Sequence, residues 1–190
     1  MNVFYLDTDP KQSAIYHCDA HLRKMIVEYA QILCIAHWQS KDEIDLQRAI
    51  EEKFYKPTHV NHPSTQWTIH SPYSYAYVYT MWEELLLMYV ERYGKTHGSM
   101  RLRDGLQHLP RNLHDDTRTY MGEINEIHTK MPPPPMCFGR EFEHIKKDRD
   151  PTKHVDVVEA YRDYYRQAKH KVATWGGDRE VPRWWLRIVA

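Results

Sequence analysis

At 190 residues, with 42% hydrophobic and 27% charged side chains, the chain is long enough for one domain that buries its own core without disulfide or metal staples. Its 26 basic and 26 acidic residues cancel, which excludes a non-specific nucleic-acid coat and leaves any nucleic-acid contact to a local basic patch. Cys18, Cys34 and Cys137 are odd in number and far apart, which argues against a disulfide framework or zinc ribbon and for a reducing compartment. No basic stretch followed by an apolar run opens the chain, and the most apolar segment, 82–90, is too short to span a bilayer and carries Glu83 and Glu84. The expectation is a cytoplasmic protein without membrane contact.

Val3-Phe4-Tyr5-Leu6 is a short apolar run ended by Asp7-Thr8-Asp9-Pro10, either a strand or a tucked-in extended arm. Asp9-Pro10 reads as a helix start. From 10 to 37 nothing breaks a helix, and Leu22, Met25, Ile26, Tyr29, Leu33 and Ala36 recur at core-facing spacing. Ile32 and Ile35 widen that arc, so this helix is expected to be central. A shorter helix follows at 42–54, then a loop from Lys56 held by Pro57 and Pro63. The second main helix is expected at 73–93, ended by Gly94. The segment 95–150 is less regular, with short helices near 101–109 and 117–128 broken by Pro110 and by Pro132 to Pro135, a run that enforces extended backbone. A last helix, 155–175, carries Val158, Tyr161, Tyr165, Ala168 and Val172 on one face, and Gly176-Gly177 stops it. The fold expected is a single all-α or mainly α domain over 1–190, built around three long helices with proline-rich connecting loops.

On one uninterrupted helix, positions 17, 21, 24 and 28 fall within a narrow angular range. His17, His21, Lys24 and Glu28 would then point the same way, with Gln31 nearby and largely apolar shoulders on both sides. Such a stripe predicts a cleft in which these groups are partly desolvated. Two chemistries suit it. Glu28 can act as general acid/base beside His21, with Lys24 supplying charge or an amine nucleophile. Alternatively His17 and His21, at i and i+4, can begin a metal site. The plain alternative is a Lys24–Glu28 surface pair next to two ordinary histidines.

The run Cys18-Asp19-Ala20-His21-Leu22, with Glu28 seven residues beyond His21, resembles the phage pyrimidine-dimer DNA glycosylase/abasic-site lyase family. The resemblance implies a compact helical protein that needs no cofactor and acts on DNA. It implies Glu28 as the catalytic glutamate, with His21 beside it, and a terminal α-amine as the nucleophile that forms an imine with the sugar. Met1's own amine or Lys24 could fill that role here. Where the family has arginines just before the glutamate and three residues after it, this chain has Val27 and Gln31. Further stretches, Asn61 to Trp67, Arg92 to His97 and Ala160 to Tyr165, are similar to a broad set of phage proteins, which would place the protein in the host cytoplasm.

Other candidate surfaces lie outside this helix. His59 and His62, in the proline-held loop, could cap the cleft and contact substrate. Arg162, Arg166 and Lys169 line up at i, i+4 and i+7 next to Tyr164 and Tyr165, a pattern suited to phosphate contact and base stacking. The aromatic tail with Trp175, Trp184 and Trp185 could hold a protein partner. Three functions therefore stay open: a DNA glycosylase or abasic-site lyase acting on damaged or modified bases, a metal- or base-assisted enzyme on a nucleotide, and a non-enzymatic phage factor that binds a host protein.

Overall fold

Residues 1–114 and 130–186 are described by the computed structural model of the chain, and among them the fold is mainly α, without a strand. The helix expected at 117–128 lies outside the described residues. No helix among those described is long and apolar enough to cross a membrane.

The largest departure from the sequence pattern is a break at residues 16–18. Where one helix is expected from 10 to 37, the chain forms α1 (Pro10–Ile15) and α2 (Asp19–Gln39). Asp9 caps α1 by accepting from the Gln12 N–H, with Pro10 at its first position. At the break, tertiary partners take over the backbone groups that a continuous helix would have paired: the Cys18 N–H donates to Tyr165 Oη and the Asp19 N–H to the Thr174 carbonyl. Hydrophobic spacing alone cannot reveal such a break, because no glycine or proline marks it. The break takes His17 off α2, so the four-residue stripe does not exist as one helical face.

α2 is central, as its wide apolar arc predicts. Leu22, Met25, Ile26, Tyr29, Ile32, Leu33, Ile35 and Ala36 are all buried, and each large side chain among them contributes about 1.5–3 kcal/mol of transfer free energy. Against α2 pack α3 (Glu43–Glu51), α4 (Pro63–Ile69) and α5 (Pro72–Tyr93). Asp42 caps α3 and Ser71 caps α5, while Gly94, at φ +62°, ends α5 in the left-handed conformation. α4 begins inside the stretch 56–65 that the sequence reads as loop and runs past its end; His62 starts it, its Nδ1 accepting from the Ser64 N–H. The stretch near 101–109 begins as a 3-10 turn and continues as α6 (Arg103–Leu106).

The last long helix, α7 (His154–Lys169), stops six residues before the expected end. After it, Thr174 and Trp175 turn back onto the α1–α2 break, where Trp175 Nε1 donates to the Tyr16 carbonyl. Val172, expected inward, is exposed, while Val158, Tyr161 and Tyr165 are buried. Asp19 clasps this returning segment, accepting from the Gly176 N–H, Arg92 and Arg179, each at 2.9 Å. A short α8 (Arg183–Leu186) buries Trp184.

The opening residues 3–6 form an extended arm inside the core, not a strand. Val3, Phe4, Tyr5 and Leu6 are at most 5% exposed, so their backbone must find partners without water. Side chains supply them. The Phe4 N–H donates to Tyr29 Oη, the Leu6 N–H to Ser13 Oγ, and Arg162 Nε donates to the Leu6 carbonyl. This threading brings Met1 and Asn2 to the surface beside the middle of α2.

Candidate active site

The arm delivers its own terminus to Glu28. The α-amine of Met1 lies 3.8 Å from Glu28 Oε2, and Lys24 Nζ lies 3.2 Å from Glu28 Oε1. The Met1 side chain is 3% exposed and accepts, through Sδ, a weak hydrogen bond from the Thr65 hydroxyl. Asn2 is held three ways: its Nδ2 donates to the Cys137 carbonyl at 2.7 Å, and its Oδ1 accepts from Tyr161 and Ser64. These contacts fix the last two residues of the arm, and with them the amine. Glu28 is 18% exposed and Lys24 67%, so the pair opens to solvent.

Two further groups lie within electrostatic reach of this carboxylate. His62 feels the Met1 amine; burial pushes its pKa down, the amine and His59 add to that, and Glu28 opposes it. α4, which starts at the end of the proline-held loop, packs on α2, and its Thr65 touches Met1. His59 itself is exposed, in a left-handed conformation at φ +54°. Lys169, at the end of α7, also has its pKa lowered, by burial first and by Lys24 second, with Glu28 acting the other way. Gln31 stands half-buried one turn beyond Glu28.

The two histidines of the expected stripe are turned inward. His17 is fully buried, and its Nδ1 lies 2.7 Å from the Ser13 carbonyl, so that nitrogen carries the proton. Its Nε2 then accepts from Tyr29 Oη at 2.7 Å. Burial, with Arg179 adding, lowers its pKa to about 4, although the Ser13 carbonyl favours the charged form. His21 is 6% exposed, hydrogen-bonded to Tyr165 Oη at 2.7 Å and packed on Phe4 at 4.4 Å with the rings tilted by 33°. Burial lowers its pKa to about 2, with the positive surroundings of His17, Lys169 and Lys24 adding to the shift. His21 thus supports the arm through Phe4, and no direct bond joins it to Glu28. The ring centroids of His17 and His21 are 6.3 Å apart, and among the described residues no group of three or more potential metal ligands comes together.

Arg162 and Arg166 are committed elsewhere. Arg162 bonds Asp7, Glu159 and the Leu6 carbonyl, which pins the arm to α7. Arg166 bonds Asp163 and the Trp184 carbonyl. Of the basic trio on this helix, Lys169 alone reaches the Glu28 cluster. Trp175 and Trp184 of the aromatic tail are buried, and the proline run is docked on the body through Trp67 and Tyr161, which donate to the carbonyls of Pro132 and Pro135. A cavity of about 830 Å³ lies among Tyr16, Met88, Arg92, Arg179 and Val181 and shares no lining residue with the Met1–Glu28 cluster.

Sequence reasoning missed Asn2, Ser64, Thr65 and Tyr161, the residues that hold the terminus in place. No local pattern marks them; they become a unit only when the arm lies under α7. No protein-family model, curated protein or solved structure matches the chain, so its chemistry has to be argued from these residues.

Proposed function

We propose that the protein is an amine-dependent DNA glycosylase and abasic-site lyase that acts on damaged or modified bases. The observation that carries this reading is the 3.8 Å approach of the Met1 α-amine to Glu28, in a site open to solvent. α-Amines as a class give up their proton more readily than lysine side chains, which favours Met1 over Lys24 as nucleophile. Lys24 is ion-paired on the other Glu28 oxygen, at 3.2 Å, and orients the carboxylate beside the amine.

On a damaged nucleotide, the amine nitrogen bonds to C1′ as the bond from C1′ to the base breaks; the base leaves with that electron pair and takes up a proton. On an abasic sugar, the amine adds to the aldehyde carbon, and loss of water leaves an iminium. Glu28 then removes a proton from C2′, the C3′–O bond breaks, and the 3′ phosphate departs with its electron pair. Water hydrolyses the imine and returns the amine. Because Val27 and Gln31 stand where the resembled family has arginines, the reading covers damaged or modified bases and abasic sites and does not single out a pyrimidine dimer.

Borohydride reduction in the presence of labelled abasic DNA tests this directly. A covalent adduct is expected, mapped by mass spectrometry to Met1. An adduct on Lys24 or Lys169 would move the nucleophile, and no adduct on abasic or thymine-dimer DNA would overturn the proposal.

A further inference from the structure

The Glu28 cluster is unbalanced in charge. One carboxylate is faced by the Met1 amine and Lys24, within 3.8 Å and 3.2 Å, and by Lys169 further out. Lys169 has no carboxylate within ion-pairing distance among the described residues. Its ammonium instead lies 5.6 Å from the Tyr164 ring centroid and 6.0 Å from that of Phe4. Ring faces attract a cation without neutralising it. Those rings belong to a column in which Phe138 stacks on Tyr164 at 4.6 Å and 18°, Tyr164 lies parallel to Phe4 at 6.3 Å and 11°, and Phe4 lies on His21. The column holds the lysine's ammonium at its edge; Lys146, over Phe138, is already paired with Glu143 at 2.8 Å. Phe4 is two residues from Asn2, and Phe138 directly follows Cys137, whose carbonyl anchors Asn2, so the column and the amine are built from the same segments.

We infer that Lys169, with Lys24, is the seat for a backbone phosphate of the DNA strand whose sugar the Met1 amine attacks. This rests on the proposed glycosylase/lyase reading for its substrate. A surplus of cations beside a single carboxylate repels itself until an anion enters, and a phosphodiester flanking the reacting sugar is the anion that such a reaction brings with it. The two rings under the ammonium limit the lysine's freedom, so the phosphate contact also sets how far the sugar stands from the amine.

Binding separates this inference from the chemistry. The Glu28→Gln protein, which should not turn over, is titrated with a fluorescent oligonucleotide carrying a stable abasic analogue, over a range of salt concentrations. Lys169→Met, which keeps an apolar stem on the rings, is expected to weaken binding by about five- to tenfold and to lower the log–log salt slope by about one. Lys169→Arg should restore most of both. Lys41→Asn serves as control, since Lys41 sits about 25 Å from Lys24 along α2 at 1.5 Å per residue and asparagine tolerates its left-handed backbone. Unchanged affinity and slope in Lys169→Met would overturn the phosphate seat while leaving borohydride trapping untouched, and so would an equal loss in Lys41→Asn, which would mean diffuse charge alone. Inorganic phosphate competing as well as the oligonucleotide, mole for mole, would likewise overturn a seat for a strand. Failure of trapping by the unsubstituted protein, with the Lys169 effect on binding intact, would instead remove the imine reading and keep the seat.

Discussion

Two polar clusters lean on α2, one near its middle and one at its end, and they use similar residue types to opposite effect. At the far end, His37 and Asp45 are fully buried. Asp45 accepts from Ser40 and from the Arg111 N–H, and His37 Nε2 is bonded to Tyr75 Oη at 3.0 Å. Burial pushes the Asp45 carboxyl up, but nearby His37 and the bonds from Ser40 and the Arg111 N–H outweigh it and leave its pKa lowered. Burial pushes His37 down against the pull of Asp45, so it is held neutral, and its Nδ1 is 3.7 Å from the carboxylate. An aspartate, a histidine and two hydroxyls, with Arg48 also paired to the aspartate at 3.4 Å, form a pin between α2, α3 and α5. The Met1–Glu28 cluster has fewer partners and an open side. Access, and hydrogen-bonding capacity left for a ligand, distinguish a candidate site from a structural network; residue type does not.

Substitutions can break that contrast. The largest effect is expected from Glu28→Gln, which should lower strand cleavage at abasic sites by about 100-fold or more, the scale of a lost general base, while the melting temperature stays near that of the unsubstituted protein. Asp45→Ala should do the reverse. It leaves His37, Ser40, Arg48 and the Arg111 N–H without their carboxylate and should cost about 3 kcal/mol or more in urea unfolding, with DNA binding per folded molecule unchanged. Tyr29→Phe should cost about 2 kcal/mol, because His17 Nε2 and the Phe4 N–H lose their shared hydroxyl; the arm should loosen, and trapping should fall with it.

Acidification sharpens the comparison further. His17 titrates near 4 in the folded chain against an ordinary 6.5, and His21 lower still. Between those values the unfolded chain binds protons that the folded chain refuses, so stability is fully present above pH 6.5 and is lost as pH falls toward 4. The slope approaches about 1.4 kcal/mol per pH unit for each such histidine. Unfolding midpoints measured from pH 7 to pH 4 should show it, and a flat profile would mean that these rings are accessible. The smallest effect belongs to Lys24→Ala. This exposed i, i+4 pair should change stability by less than about 0.5 kcal/mol even if trapping declines.

The helical class, the central place of α2 and the end of α5 at Gly94 were legible because they depend on local signals: apolar periodicity, caps and one left-handed glycine. The break at 16–18 was not, because it is imposed by Tyr165 and Thr174, more than 140 residues away. The same blindness governs the site. Lys24 and Glu28 could be paired from their spacing, whereas placing His17 on their face required the helix to continue. Arg162, Arg166 and Lys169 look equivalent along α7, yet the arm takes the first and Asp163 the second.

The threaded arm also governs when the protein can work. Tyr161 holds Asn2 and Arg162 holds Leu6, contacts that join the arm to a helix 159 and 156 residues further along the chain. During synthesis the arm must wait, apolar and uncovered, until α7 has emerged. Contacts of such sequence separation slow folding, and the waiting intermediate is open to aggregation. The amine and Glu28 therefore meet at the end of folding, so a chain truncated before α7 should yield no active fragment however intact its first hundred residues are.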